Sequence, residues 1–512
     1  MNSFQSNRNL TTLLQCLLLL LFVLSERPAA AQFASINWHR DLSDSIYKEF
    51  QQPGFDGHST FHPQSPLLHT ESWLKKNPVD TSTANICMRP VINAAAGATM
   101  EGKIASQSFA GLQLDVRVKN RWFFEGGYSL FFQSGLEYID RFTKARDVVP
   151  GVGKARFING LGQIAHCPYG RLIYQAGRRI NLELGNGKNF WGDGHRSLIL
   201  SDNAPAYPYA KLALDVWRIR YNALYGMAKQ GDRRKFFATH GLNMHLGKRL
   251  EFSFFEMVVW QDRDSLSERG LDLHYLNPLL FYRPVEYAQG SADNVLIGAG
   301  FKWRPRKFIQ VYGQFVLDEF LLSSIRGRTG WWANKFGGQV GMRWFDVFKN
   351  FNWQIEGNAV RPFTYSHGSP VQAWGHMYQP LAHPLGSNFS ELVNIFTYSV
   401  GDWKVENRNV YATFGKDMDA DGDGIIDNQG GDVFKSYEGP FQNFGNRHLQ
   451  GDKNVLHYNQ LTLAHPIKKM DGFEWYVSHI VRFQKNNSGE NIEQAIMVGI
   501  RMEGIISPVR DF

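Results

Sequence analysis

Five aspartates crowd the eleven-residue run Asp417-Met418-Asp419-Ala420-Asp421-Gly422-Asp423-Gly424-Ile425-Ile426-Asp427. Carboxylates at alternate positions, followed by Gly for a tight turn, wrap oxygen ligands around a hard cation, and calcium is the ion this chemistry suits. With Asp419 as position one, Asp421 and Asp423 fall at three and five, Gly424 at six, Ile425 at seven, where a backbone carbonyl serves, and Asp427 at nine. Position twelve is Gly430 rather than a bidentate Glu, so the run is not a full EF-hand loop. It is closer to the short Asp-rich loops of extracellular calcium repeats. A solvated acidic loop without a specific ion is the alternative. Bound calcium would order the loop rather than carry out chemistry.

A second dense stretch, 184–212, reads LGNGKNFWGDGHRSLILSDNAPAYPYAKL. Gly185, Gly187, Gly192 and Gly194 permit sharp turns, while Trp191 offers a stacking face and Asp193, His195 and Arg196 offer hydrogen bonds. Such a loop can hold sugar hydroxyls or plug a lumen. It is not a phosphate cradle, because no Gly-Lys-Ser/Thr follows. Trp331 and Trp332, with Trp344 and Trp353 nearby, can stack on sugar rings, but as residues of a membrane girdle they need no ligand. The histidines are scattered, and there is no HExxH, no Gly-x-Ser-x-Gly elbow and no Cys/His spacing for zinc. Nothing in the sequence supports catalysis.

The elements that must position these residues are strands. From 112 to 119 the chain reads Leu-Gln-Leu-Asp-Val-Arg-Val-Lys, aliphatic at every even position and polar at every odd one. That period of two is a strand with one apolar and one charged face. After a turn near Asn120, Trp122, Phe124, Tyr128, Leu130 and Phe132 share one face while Glu125, Ser129 and Gln133 share the other, completing a hairpin. The pattern returns down the chain: Ile297, Phe301 and Trp303 alternate with Lys302 and Arg304; Ile309, Val311, Phe315 and Leu317 oppose Gln310, Gln314 and Asp318; Trp353, Ile355 and Ala359 oppose Glu356 and Asn358.

A soluble sandwich also alternates. Three features favour a membrane barrel instead. Aromatic residues gather toward strand ends, and the strands run to about 9 to 11 residues. Arg8 precedes an apolar run from Leu13 to Leu24, and Ala29, Ala30 and Ala31 then supply a cleavage site before Gln32, the build of a secretory signal. The chain ends on Phe512, and a terminal aromatic is typical of proteins folded into bacterial outer membranes.

The expected fold is therefore all-β: a transmembrane antiparallel β-barrel of about 16 to 18 strands. Residues 1–31 form the signal, 32–90 a small helical N-terminal periplasmic region with a helix over 41–50, and 91–512 the barrel. Location in the outer membrane of a Gram-negative bacterium follows, with outer-membrane lipid as a partner. The formal charge of +8 on 512 residues is too diffuse to imply nucleic acid, and no Lys/Arg block is present. Cys87 and Cys167 remain after signal removal, in an export route that permits a disulfide.

The 184–212 stretch resembles a segment of the capsule-assembly, Wzi-like family of outer-membrane barrels, and in particular its Bacteroidetes branch, which includes gliding-motility-associated members. Three further stretches resemble that branch: 275–305 (YLNPLLFYRPVEYAQGSADNVLIGAGFKWRP), 310–320 (QVYGQFVLDEF) and 330–346 (GWWANKFGGQVGMRWFD). The resemblance covers much of the middle of the chain and leaves out the N-terminal 90 residues and the Asp-rich loop. It implies a non-enzymatic barrel that binds, anchors or helps assemble surface polysaccharide. The residues expected to touch glycan are Trp191, Asp193, His195 and Arg196, with Arg283 and Glu286 from the second stretch; a lumen salt bridge is the other use for the last two. A component of a gliding or adhesion machine, with surface-machinery proteins as partners, and a solute pore are the alternative readings.

Overall fold

Along much of the sheet the strands turn polar residues inward and apolar ones outward. Leu112, Phe124, Leu130, Phe315, Val340 and Val498 lie open on the outer surface, whereas their sequence neighbours Gln113, Ser129, Gln314 and Gln339 are buried. A sheet whose greasy face points outward satisfies its backbone in hydrocarbon only by closing on itself. The computed structural model, which describes residues 61–64, 84–119, 121–177, 179–263, 269–276, 293–470, 472–502 and 511, shows that closure. The expected signal, the helix expected over 41–50, Arg283, Glu286 and Phe512 lie outside the described residues.

Eighteen antiparallel strands form the barrel. In chain order they are β1 (Ala84–Thr99), β2 (Ile104–Val118), β3 (Trp122–Ser134), β4 (Gly162–Gln175), β5 (Ile180–Trp191), β6 (Tyr207–Val216), β7 (Ile219–Gln230), β8 (Arg233–Leu246) and β9 (Leu250–Gln261). The second half comprises β10 (Asn294–Arg306), β11 (Ile309–Glu319), β12 (Lys335–Phe348), β13 (Phe351–Val360), β14 (Phe389–Val400), β15 (Trp403–Lys416), β16 (Asp452–Pro466), β17 (Phe473–Asn486) and β18 (Gly489–Met502). Each pairs with the next, and β1 returns to β18 in register from Asn93 opposite Arg501 to Thr99 opposite Ala495, so no edge is left open. Phe61–Gln64 adds a short backbone strand beside the end of β5.

The strands run from 10 to 16 residues, longer than the alternation alone suggests. Beyond the hydrocarbon band both faces meet water, so the pattern of two fades while the hydrogen-bond ladder continues. β1 also opens inside the stretch expected to be the N-terminal region. Pro90 lies within it, opposite Leu112, and a proline in a run argues against a strand in sequence. Cys167 is a free thiol. Register sets Cys87 opposite Asp115, Asp115 opposite Glu125 and Glu125 opposite Arg171. Three strand spacings of about 4.8 Å therefore separate Cys87 from Cys167's strand, beyond disulfide reach.

The two ends of the barrel differ. One carries only tight connections, among them 217–218, 307–308, 349–350 and 401–402. The left-handed backbones of Trp217 and Asn350 and of Gly401 make these turns. Around this end sits an aromatic belt: Phe348 stacks on Phe351 with centroids 4.4 Å apart, and Trp353 lies parallel to Phe396 at 6.2 Å. The opposite end carries the long connections 135–161, with α1 (Glu137–Arg146), 192–206, 320–334, with α2 (Leu322–Arg326), 361–388 and 417–451.

Among the described residues the largest buried apolar cluster lies inside the barrel, not between layers. It joins Leu198, Ile199 and Leu200 from the 192–206 connection, Tyr365, Trp374 and Leu381 from 361–388, and inward residues of the wall such as Phe255, Met257, Leu296 and Val316. Gly298 gives this insertion its room, since a Cβ there would lie 2.4 Å from Ile199 Cδ1.

Candidate functional site

The 192–206 connection enters the lumen and is held by backbone and side chains together. Trp191 N–H donates to Leu200 O at 2.8 Å, closing the base of the loop. Gln314 of β11 grips both limbs, accepting from Leu198 N–H at 2.9 Å and donating to Trp191 O at 2.9 Å. Trp374 Nε1 donates to Ile199 O at 2.7 Å, and Tyr365 Oη donates to Leu198 O at 2.8 Å, joining the two inserted loops.

Four of the six residues expected at a glycan site meet here, and all have protein partners. The Trp191 indole is 1% exposed and packs against Phe255. Asp193 Oδ1 lies 3.3 Å from Lys302 Nζ, which also pairs with Glu251 at 2.8 Å. The backbone amides of His195 and Arg196 donate to Glu356 at 2.6 and 3.0 Å. The Arg196 side chain, fully buried, donates to Glu391 Oε1 at 2.9 Å and to Asp511 Oδ2 at 2.7 Å. Glu391 is completed by Asn358 Nδ2 at 2.9 Å and His383 Nε2 at 2.6 Å. Burial alone would push the Asp511 carboxyl up, but the Arg196 guanidinium reverses this and holds it at about 2. Of the two uses the sequence offers for this loop, the geometry is that of a plug. Arg283 and Glu286 are not among the described residues.

Trp331 and Trp332 do not join the girdle. They lie in the 320–334 connection at the long-loop end, because β12 begins only at Lys335. Trp344 and Trp353 do sit on strands, directly opposite one another. The 329–332 segment is zipped to 443–446 of the largest loop: Gly445 N–H donates to Thr329 O, Asn446 N–H to Gly330 O and Trp332 N–H to Asn443 O, at 2.8 to 3.0 Å. Half-buried Trp332 then meets Tyr437 at 4.9 Å and the edge of Phe363 at 5.6 Å, and Trp331 lies 6.3 Å away. His367 stands edge-on to Tyr437 at 5.4 Å. Three loops thus build one aromatic platform. Sequence reasoning missed Tyr437, Phe363 and His367, which carry no local signal and come together only through loop packing.

In the Asp-rich loop the structure gathers Asp419, Asp421 and Asp423, each offering a carboxylate oxygen within 4.8 Å of the others. Gly422 and Gly424, both at left-handed φ, turn their amides to Asp419 at 2.7 and 2.9 Å. Asp427 stands apart from this trio: it bridges to Met418 and accepts from Ala420 N–H at 2.8 Å, closing the loop's base. Ile425 N–H donates to Asp423 at 2.8 Å. Three hard oxygen donors on a glycine-turned loop fit a divalent cation such as calcium.

No protein-family model and no curated protein matches the sequence. Among solved structures the chain is similar to Wzi, an outer-membrane protein involved in group 1 capsule assembly in Escherichia coli and a carbohydrate-binding β-barrel, at 12% identity and a TM-score of 0.53, over 91% of this chain and 99% of that one. It also matches OprD of Pseudomonas aeruginosa at 8% identity and a TM-score of 0.43, over 82% of this chain and 97% of the other. The likeness to Wzi is one of fold: the chain is an outer-membrane-type β-barrel of eighteen strands.

Proposed function

We propose that this chain is a non-enzymatic outer-membrane barrel whose long-loop face binds surface polysaccharide and helps to anchor or assemble it. The observation that carries the reading is the occupied lumen. A loop pinned inside the barrel through Arg196 and Glu391, Gln314 and Trp374 suits a binding protein better than a conduit. The surface left for a ligand is then the rim of long loops, and there the Trp331–Trp332–Tyr437 platform offers flat aromatic faces of the kind sugar rings stack on. The carbohydrate-binding neighbour of the same fold points the same way.

In this reading Trp191, Asp193, His195 and Arg196 act from below, fixing the plug on which the loops rest. The Asp419–Asp421–Asp423 trio takes calcium and orders the 417–451 loop, which contributes Tyr437 to the platform. The test is a glycan array on the detergent-solubilised chain, with and without calcium, beside planar-bilayer conductance. Saturable glycan binding by an electrically silent protein is the expected result. A large steady current with no glycan bound would replace the reading with a solute pore.

A further inference from the structure

At the rim above β11 and β12 the chain leaves four large apolar side chains in the open. Phe320, Leu321, Leu322 and Ile325 are 51, 48, 47 and 41% exposed, in a connection rather than on a strand. Leu321, Leu322 and Ile325 are spaced as one face of α2. The helix's other side is tied down: Ser324 is buried and its hydroxyl accepts from Asn334 Nδ2 at 3.3 Å, while Asn334 Oδ1 accepts from Leu321 N–H at 2.9 Å. The apolar face is therefore held outward by the loop, and among the described residues nothing covers it. An exposed cluster of this size marks a contact surface.

Its continuity says which contact. Leu317 pairs across the ladder with Phe336, and Phe315 packs on Phe336 at 6.2 Å, so the outward, lipid-facing column of β11 and β12 leads up to α2. Two cations follow directly, Arg326 and Arg328, and both are exposed. Arg328 is held at a left-handed φ of 50° beside the zipped 329–332 segment. Apolar side chains that continue the lipid-facing column, followed in sequence by two exposed guanidinium groups, match an acyl chain and the phosphate of its headgroup.

We propose that 320–328 is an outer-leaflet anchor that binds a phosphorylated glycolipid, with Leu321, Leu322 and Ile325 among the acyl chains and Arg326 and Arg328 on the phosphates. The anchor would fix the height of the adjoining Trp331–Trp332 platform above the membrane.

The test uses the full chain, stripped of lipid in a neutral detergent and probed by native mass spectrometry with bisphosphorylated lipid A, with its dephosphorylated form and with inorganic phosphate alone. Wild type should retain the bisphosphorylated lipid, and Arg326→Gln/Arg328→Gln should lower that retention by at least about tenfold. Leu322→Ser/Ile325→Ser should lower it as well, while heat-modifiable migration on gels shows that both variants still form the barrel. Equal retention by the arginine variant overturns the proposal. So does equally tight binding of inorganic phosphate, which would mean a free-anion site. A lipid-free chain that dimerises through this face, with the dimer persisting in saturating lipid A, would also overturn it and make the patch a contact between copies.

Discussion

Arg196 and Asp511, 315 residues apart in sequence, meet at 2.7 Å inside the barrel with both side chains fully buried. One belongs to the loop that enters the lumen, the other follows the last strand, and Glu391 of β14 holds the same guanidinium at 2.9 Å. Plug and wall are therefore joined through a charge that has no access to water. Removing one partner of such a pair leaves an uncompensated buried charge, at a cost of about 3 to 5 kcal/mol.

Arg196→Met should therefore lower the thermal stability of the barrel and give it intermittent conductance in a planar bilayer. Asp511→Asn should do the same more weakly, because Glu391 remains. A double variant less impaired than the sum of the two would measure the coupling. Wild-type stability and silence in Arg196→Met would remove the pair from the plug's support.

A side chain at Gly298 should strain the contact between the plug and the wall. Gly298→Val would press on Ile199 and displace the loop, whereas Ile199→Ala in the same chain returns the space. The expected pattern is a fall in melting temperature that the second substitution partly restores. Failure of the rescue would mean that the plug does not approach the wall there.

Trp332→Ala should weaken glycan binding by about tenfold or more while leaving the melting temperature close to wild type, since the indole is half-buried at the surface. Trp191→Ala should show the opposite balance. Its indole is buried, and its loss should cost about 3 to 5 kcal/mol of stability. Unchanged binding in Trp332→Ala would sink the platform.

Calcium should protect the 417–451 loop from limited proteolysis, magnesium should do so less, and Asp419→Asn/Asp421→Asn should abolish the protection. Identical cleavage with calcium and with chelator returns the run to a solvated acidic loop.

Acid should loosen the loop that carries His376. Burial first, and then the nearby Lys235, lower this imidazole from 6.5 to about 3, and its Nδ1 accepts the Lys229 N–H at 2.9 Å, which requires the neutral form. The unfolded chain takes up a proton near its ordinary value while the fold does not. Stability from this group is thus complete above about pH 6.5 and declines as pH falls toward 3. Melting temperature followed from pH 7.5 to about 4.5 should fall less steeply in His376→Asn; parallel curves would show that His376 does not contribute.

Much of the wall was legible in the chain. The phase that puts Leu112, Phe124, Phe315 and Ile297 outward and Gln113, Ser129, Gln314 and Lys302 inward is local, because neighbouring side chains on a strand must take opposite faces. The same phase identified Glu356 as inward before its partners were known. The gathering of Asp419, Asp421 and Asp423 was legible for a similar reason, since they lie within a few residues of one another, whereas the separate place of Asp427 at the loop's base was not.

The lumen was not. That 192–206 turns inward, that Arg196 finds Glu391 and Asp511, that Trp332 finds Tyr437, and that Cys87 and Cys167 stand three strands apart are contacts and separations set only when the sheet closes. Alternation specifies which face of a strand a side chain takes and is silent about what lies across the lumen. Closure of eighteen strands decides that, by fixing which distant residues share one enclosed space.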